Sequence, residues 1–227
     1  MLNYPRSAGY TGLSTEAGVA QQPAVLGKVL GLLGFAFLFT AGGAAIGVAA
    51  GPGAFVLSLI GSFATLIPLM FLKERAPLNL ALLYAFAVFE GMALGLVLQM
   101  YIAQGMSGVV VNASASTAAV TLAAGFYGAT TKRNLAGLGG FLMVGLLGVV
   151  VASIVGIFLH SPALYVGISA VAVLLFTGLI MFDLNRVARA RGATEGQAIM
   201  MTVSIYLDIL NLFYALLRIF GFVNSRD

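Results

Sequence analysis

Residues 163–182 read ALYVGISAVAVLLFTGLIMF, a run without a charged side chain that Asp183 follows directly. About 20 consecutive apolar residues are enough to cross the hydrocarbon core of a bilayer as a helix. Six further apolar runs occupy residues 29–50, 54–72, 78–98, 108–130, 135–159 and 198–222. Backbone groups in lipid must bond within their own segment, which favours helices over other spans. The sequence therefore predicts an all-α integral membrane protein with seven transmembrane helices.

Composition leads to the same class of protein. Of the 227 residues, 61% are hydrophobic and 8% are charged, whereas a soluble domain carries about a quarter charged residues. A chain so poor in charge cannot cover a water-facing surface. Because cysteine is absent, disulfides, iron–sulfur clusters and thiolate metal sites are excluded. The excess of basic over acidic residues (11 against 7) we interpret as a signal of loop orientation rather than of nucleic-acid binding.

The chain divides into a tail, a membrane domain and a short end. Residues 1–24 are polar and contain scattered glycine and proline, which predicts a disordered cytoplasmic tail. Residues 25–223 form one seven-helix domain, and residues 224–227 form a short C-terminal tail. No resident cofactor is expected, and the lipid bilayer is the first partner.

Basic residues alternate between the connections, which predicts an orientation. They follow the second, fourth and sixth runs and are missing from the connections at 51–53, 104–108 and 160–162; the basic residues are Lys73, Arg75, Lys132, Arg133, Arg186, Arg189 and Arg191. The positive-inside rule then places the N-terminus in the cytoplasm and the C-terminus outside. For a bacterial chain the membrane would be the plasma membrane. Arg218 lies within the last run, and a re-entrant hairpin there would return the C-terminus to the cytoplasm.

Three acidic residues fall inside the apolar runs: Glu90, Asp183 and Asp208. An acid at the bilayer centre costs several kcal/mol, so such residues normally face the bundle interior and serve a function. The alternative is a permanently protonated carboxyl that donates one interhelical hydrogen bond. The single histidine, His160, is interpreted as a solvated turn residue.

The two aspartates are predicted to meet. The turn between the sixth and seventh runs falls at residues 191–196, so Asp183 lies about ten residues before its centre and Asp208 about fourteen after it. On antiparallel helices these positions differ in depth by about one helical turn. Paired carboxyls share a proton because two like charges close together cannot both ionise. The sequence thus predicts a pH-sensitive element on the cytoplasmic side.

The seventh run carries a polar stripe. Ser204, Asp208, Asn211 and Arg218 fall within an arc of about 80° on a helix, which predicts that they line a narrow polar path at the bundle centre. Arg218 alternatively extends to the outer interface. Gly91 and Gly95 predict close approach of another helix beside Glu90, as the repeat of Gly43 and Gly47 does in the first run. Glu90 is therefore predicted to lie inside the bundle close to the ion path and to take part, with the two aspartates, in the pH response.

Two stretches of the chain resemble the Bax inhibitor-1 family of membrane proteins. Residues 163–187, ALYVGISAVAVLLFTGLIMFDLNRV, are similar to the sixth helix of that family, and residues 204–221, SIYLDILNLFYALLRIFG, are similar to its last helix. Weaker similarities are Phe89-Glu90-Gly91 and residues 28–33, KVLGLL. Leu184-Asn185 departs from the Thr-Gln that the family often has there.

The resemblance implies a fold in which the last helix is central and wrapped by the other six. It also implies a pH-dependent calcium leak, with Asp183 and Asp208 as the proton sensor and as transient calcium contacts. In some relatives an arginine near the second span pairs with the first aspartate in the closed state. Arg75 and Lys73 are the candidates here.

Three functional classes remain open. The first is a pH-sensitive calcium leak channel. The second is a proton-coupled secondary transporter that uses Glu90 and the aspartate pair as a relay. The third is a non-conducting protein that modulates a membrane partner, such as a protease or a cell-death regulator. An enzyme is not expected, because the chain lacks the Gly-x-Ser-x-Gly and His-Glu-x-x-His motifs of membrane proteases.

Overall fold

The structure, a computed structural model, describes residues 25–159 and 161–225; the predicted tail at 1–24, His160 and residues 226–227 lie outside this part. The described part contains seven α-helices: α1 (Val25–Ala50), α2 (Ala54–Leu72), α3 (Leu78–Ala103), α4 (Ser107–Thr130), α5 (Gly139–Leu159), α6 (Pro162–Arg189) and α7 (Glu195–Asn224). A 3₁₀ turn, Leu135–Leu138, leads into α5. All seven helices, α5 together with this turn, are long and apolar enough to cross a membrane, which confirms the predicted fold class.

Helices α6 and α7 extend beyond the apolar runs. Helix α6 continues past Asp183 to Arg189, and α7 begins at Glu195, before its run starts at residue 198. A capping box starts α7: the Thr194 hydroxyl accepts from the Gln197 N–H, and the Gln197 side chain accepts from the Thr194 N–H. Hydropathy identifies only the part of a helix that lies in lipid. The predicted runs therefore did not include the polar C-terminal end of α6 or the polar N-terminal end of α7.

The first six helices form two groups of three with the same packing pattern. In the first group α1 and α2 both pack against α3; in the second, α4 and α5 both pack against α6. Because two spans lie between α1 and α4, these helices and the groups they begin run through the membrane in opposite directions. Helix α7 lies between them.

The central position of the last helix is confirmed. About 61% of the most apolar part of α7 is buried, whereas no other helix exceeds 39%. Helices α1, α3, α4 and α6 pack directly against α7, while α2 and α5 pack mainly on α3 and α6. The wrapping is therefore carried chiefly by four helices, and part of α7 remains open.

Glycines allow α1 and α3 to approach closely, as predicted. A Cβ atom at Gly43 would collide with the Val88 carbonyl of α3, and one at Gly91 would collide with the Thr40 carbonyl of α1. Gly47 and Gly95 make equivalent contacts one turn further on. Close backbone contact replaces the hydrophobic drive that is missing between helices in lipid.

The connections that carry the basic residues lie at one end of the bundle, here called the basic end (residues 73–77, 131–134 and 190–194). Buried Asn185 of α6 holds the connection at 131–134 in place. Its amide donates to the Gly128 carbonyl (3.0 Å) and accepts from the Leu135 N–H (3.1 Å). Arg189, one turn later, donates to the carbonyls of Lys132 and Arg133 at 2.7 and 2.8 Å. The end of α6 is thereby fixed to α4.

Candidate functional site

Asp183 and Asp208 are brought together, on facing sides of the antiparallel helices α6 and α7. Their side chains are 5% and 7% exposed, and the charge of Asp183 acts on Asp208. The Ser204 hydroxyl, one turn before Asp208 on α7, is a polar neighbour of the Asp183 carboxyl. The candidate site therefore consists of two carboxyls and one hydroxyl at the junction of two helices.

One oxygen of this site lacks a partner within the described part of the chain. Asp208 Oδ2 is buried and accepts no hydrogen bond there. A buried polar atom without a partner costs about 1–3 kcal/mol, and more when it is charged. A proton held between the two carboxyls would supply the missing hydrogen bond and remove one of two like charges. The geometry suits a group that takes up and releases one proton.

The cation next to Asp183 is not one of the two predicted. Arg186, three residues further along α6, acts electrostatically on Asp183, rather than Lys73 or Arg75. Arg75 is exposed in the connection between α2 and α3, and its backbone carbonyl accepts from the Asn79 N–H. The sequence does not show how α2 and α6 are aligned, so the distance from Lys73 or Arg75 to Asp183 could not be predicted. Arg186, in contrast, follows Asp183 by three residues on the same helix, which brings the two side chains close.

Glu90 lies apart from the aspartate pair. It is partly buried on α3, Ser62 of α2 is a polar neighbour of its carboxyl, and its charge acts on Tyr206 of α7. Tyr206 and Asp208 are two residues apart and so point about 200° away from each other on the helix. Glu90 and the aspartates therefore stand on different sides of α7, and the structure does not join them into one relay.

The polar stripe of α7 is less enclosed than predicted. Ser204 is partly buried, but Asn211 and Arg218 are exposed, and the Asn211 amide donates to the Leu207 carbonyl of its own helix at 2.8 Å. The expectation that Asn211 lines a path inside the bundle is wrong, whereas the exposure of Arg218 agrees with the alternative that it extends out of the bundle. Within residues 25–159 and 161–225, α3 and α6 are not among the closely packed helix pairs, so this face of α7 stays open between the two three-helix groups.

Two cavities border the open face of α7. The one at the basic end, here called the basic cavity, has a volume of about 620 Å³ and includes Ser204, Lys73, Arg186 and Arg191 in its wall. The other, about 490 Å³, lies toward the opposite end of α7 and includes Arg218 and Tyr101. The basic cavity thus reaches the hydroxyl that contacts Asp183.

A third cavity, of about 780 Å³, lies on another side of α7. It is lined mostly by apolar side chains of α1, α4 and α7, which include Leu26, Leu30, Leu33, Phe37, Leu122, Ile205 and Ile209. Such a wall offers little to replace the hydration shell of an ion. This cavity is therefore no candidate for an ion path.

Glu74 fastens the connection between α2 and α3 to the start of α7. Its carboxylate accepts from the Thr194 hydroxyl (2.7 Å) and from the Gly196 N–H (3.2 Å). The Thr194 hydrogen bond is the largest cause that holds the pKa of Glu74 below its usual value; the Gly196 N–H and Lys73 act in the same direction, and desolvation opposes them. A carboxylate also suits the positive end of the helix dipole.

Sequence reasoning missed several of these partners. Ser62, Asn185 and Glu74 each hold two elements together, yet none was singled out as part of a contact. The spacing of Asn185 and Arg189 by one helical turn was a usable signal, because it places two polar groups on one face of α6. The partners of Glu74 and Ser62 lie on other helices, and a single sequence does not show which residues of different helices come into contact.

The acid pair is too small to be a resident metal site. Within residues 25–159 and 161–225, no group of three or more His, Asp or Glu side chains gathers in a way that would hold a metal ion. Calcium takes six to eight oxygen ligands, of which the pair and Ser204 supply a few. The arrangement is compatible with brief contacts to a passing cation.

Comparison with known proteins agrees with the resemblance in the sequence. Residues 22–225 match the family model described as "Inhibitor of apoptosis-promoting Bax1". The "Modulator of FtsH protease YccA" of Escherichia coli is 36% identical over 175 residues, or 76% of each chain. An uncharacterized membrane protein of Vibrio cholerae is 34% identical over 176 residues, covering 76% of this chain and 78% of the relative. One of Streptococcus pyogenes is 37% identical over 154 residues, 66% of each.

Proposed function

Because the chain belongs to the Bax inhibitor-1 family of membrane proteins, we propose that it is a pH-sensitive calcium leak channel whose proton sensor is the pair Asp183 and Asp208. The observation that supports this function is the burial of two adjacent carboxyls, one of which has an oxygen without a hydrogen-bond partner in the described part of the chain. We further propose that the basic end faces the cytoplasm.

The proposed sensor works through the junction of α6 and α7. With one proton present, the O–H of one carboxyl donates to the other, and the two helices are held together at this point. When that proton leaves, two negative charges face each other in a buried setting, and the junction is destabilised. The protein then has two arrangements of α6 relative to α7, and pH sets their populations.

Calcium is the proposed permeant ion because the site offers oxygen ligands, which that hard cation prefers. Asp183, Asp208 and the Ser204 hydroxyl would touch the ion in passing. The two cavities that border the open face of α7 would lie along the same route.

The test is calcium influx into liposomes that contain the purified protein, measured over a pH series. We expect Asp183→Asn and Asp208→Asn each to abolish the pH response, and the double variant to resemble the single ones, because either change removes the shared proton. Glu195→Gln, an acid at the start of α7 outside the pair, is the matched control and should keep the response. An unchanged pH response in both single variants would contradict the sensor. Proton flux in fixed proportion to solute flux would instead indicate a secondary transporter.

A second candidate function is modulation of a membrane protease. The observation that favours it is the 36% identity to a relative that is named as a modulator of the FtsH protease. The experiment is to reconstitute an FtsH-type protease with and without this chain and to follow degradation of a membrane substrate. A change in rate that persists in Asp208→Asn would support modulation independent of the proton sensor; no change would leave the leak as the better proposal.

A further inference from the structure

Three basic side chains converge on the basic cavity from different parts of the chain. Lys73 follows α2, Arg186 lies in the last turn of α6, and Arg191 lies in the connection between α6 and α7. Lys73 is partly buried, whereas both arginines are exposed toward the opening. Like charges gathered around one cavity repel each other, so the arrangement favours an anionic occupant.

The carboxylates nearest to this cavity are already engaged. Among the described residues, none of those lining the cavity is acidic. Glu74 accepts hydrogen bonds from Thr194 and Gly196 and also feels the charge of Lys73, and Arg186 acts electrostatically on buried Asp183. Three cations thus stand near two carboxylates, which leaves an excess of positive charge for an external anion.

The deeper wall of the cavity is apolar. Leu66 and Met70 of α2 and Met200, Met201 and Leu207 of α7 line it toward the membrane interior. Helices α2 and α6 form no packed interface within the described part of the chain, so the cavity opens sideways between them, where lipid would lie. Methionine side chains are flexible and adapt to an irregular apolar chain.

We propose that the basic cavity binds an anionic phospholipid. Its phosphate lies among Lys73, Arg186 and Arg191, and one acyl chain lies along the apolar wall of α2 and α7. Basic pockets between transmembrane helices at the cytoplasmic face recognise anionic headgroups in this way. A free phosphate ion would bind the cations alone. It would not account for the apolar wall or for the sideways opening of the cavity.

Binding to the detergent-solubilised full chain is measured with a fluorescent phosphatidylglycerol, and a fluorescent phosphatidylcholine is the neutral comparison. Each cation near an anionic headgroup contributes roughly fivefold in affinity, so Lys73→Gln/Arg191→Gln should bind phosphatidylglycerol about thirtyfold more weakly. Lys73→Arg/Arg191→Lys keeps the charges and should bind nearly as well as the original chain. Arg191→Gln alone, in an exposed connection, should lose roughly fivefold and serves if the double variant does not fold.

The matched control removes two charges at the same end but outside the cavity: Lys132→Gln/Arg133→Gln should leave the affinity unchanged. An equal loss in this control would show general surface attraction and overturn the site. Equal affinity for phosphatidylcholine would also overturn it. Displacement of the lipid by inorganic phosphate at comparable concentration would show that the cavity is a phosphate-ion site and would overturn the lipid assignment.

Discussion

The Thr40 hydroxyl of α1 and the Tyr206 hydroxyl of α7 are joined by a hydrogen bond of 2.8 Å between two buried side chains. Thr40 also donates to the Ala36 carbonyl of its own helix at 2.9 Å, so the proton between the two hydroxyls comes from Tyr206. This bond links the first three-helix group to the central helix.

We expect Tyr206→Phe and Thr40→Val to be coupled in a double-mutant cycle of unfolding free energy. Interhelical hydrogen bonds of membrane proteins average about 0.6 kcal/mol and reach about 1.7 kcal/mol in such cycles. The control pairs Tyr206→Phe with Thr117→Val, because the Thr117 hydroxyl bonds the Ala113 carbonyl of its own helix. Additive effects of Thr40→Val and Tyr206→Phe would show that their bond contributes nothing to stability.

Replacing Gly43 by alanine should destabilise the bundle by about 1–3 kcal/mol, because the new methyl group would press on the Val88 backbone of α3, which cannot move aside as a side chain can. The matched variant is Gly34→Ala on the same helix, where a Cβ atom meets nothing within 4 Å. Unfolding in mixed micelles measures both. Equal stability of the two variants would argue against close backbone packing of α1 on α3.

Glu74→Gln should reduce thermal stability at neutral pH and have little effect in acid. The pKa of Glu74 is lower in the folded chain than its usual value, chiefly because the Thr194 hydroxyl donates to its carboxylate. The stability that this group contributes is present above the unfolded pKa and is lost as the pH falls through the folded pKa. The measurement is Tm against pH for both chains. A difference in Tm that stays constant into acid would refute the assignment.

Glu90→Gln should leave the pH dependence of calcium flux in place, because Glu90 stands on the other side of α7 from the aspartates and has Ser62 as its polar neighbour. The size of the flux is free to change if ions pass near α3. The measurement is the same liposome series that tests the aspartates. A pH response that shifts with Glu90→Gln as it does with Asp208→Asn would place all three carboxyls in one relay.

The orientation follows from single cysteines, because the chain has none of its own. We expect Lys132→Cys and Arg191→Cys, both exposed at the basic end, to react with an impermeant thiol reagent from the cytoplasmic side. Gln104→Cys, exposed between α3 and α4, should react from the outside alone. Labelling of Gln104→Cys from the cytoplasm would reverse the topology.

The seven helices and the meeting of Asp183 with Asp208 could be predicted because both depend on distances along the chain. Apolar length gives the spans, and the similar distance of the two acids from one tight turn, about ten and fourteen residues, gives their depth. The open face of α7 could not be predicted, because it depends on which helices pack against which. A polar stripe looks the same in sequence whether it faces a path or a gap, so the sequence predicts Asn211 inside the bundle and leaves Arg218 open between the path and the outer interface. The role of Asn185 was missed for a similar reason: its partners are backbone groups at the end of α4 and in the connection that follows it.

The helix that joins the two three-helix groups follows all six of them in the chain. During synthesis α1–α6 therefore enter the membrane before α7 has been made. Until then, the surfaces of these six helices that will contact α7 are exposed to lipid. Asp183 enters with α6 ahead of Ser204 and Asp208, so it has to be carried into the bilayer without the partners it has in the finished bundle. Assembly of this protein thus depends on an interval in which an acid is sheltered by something other than α7, such as the insertion machinery, the lipid headgroups or a proton.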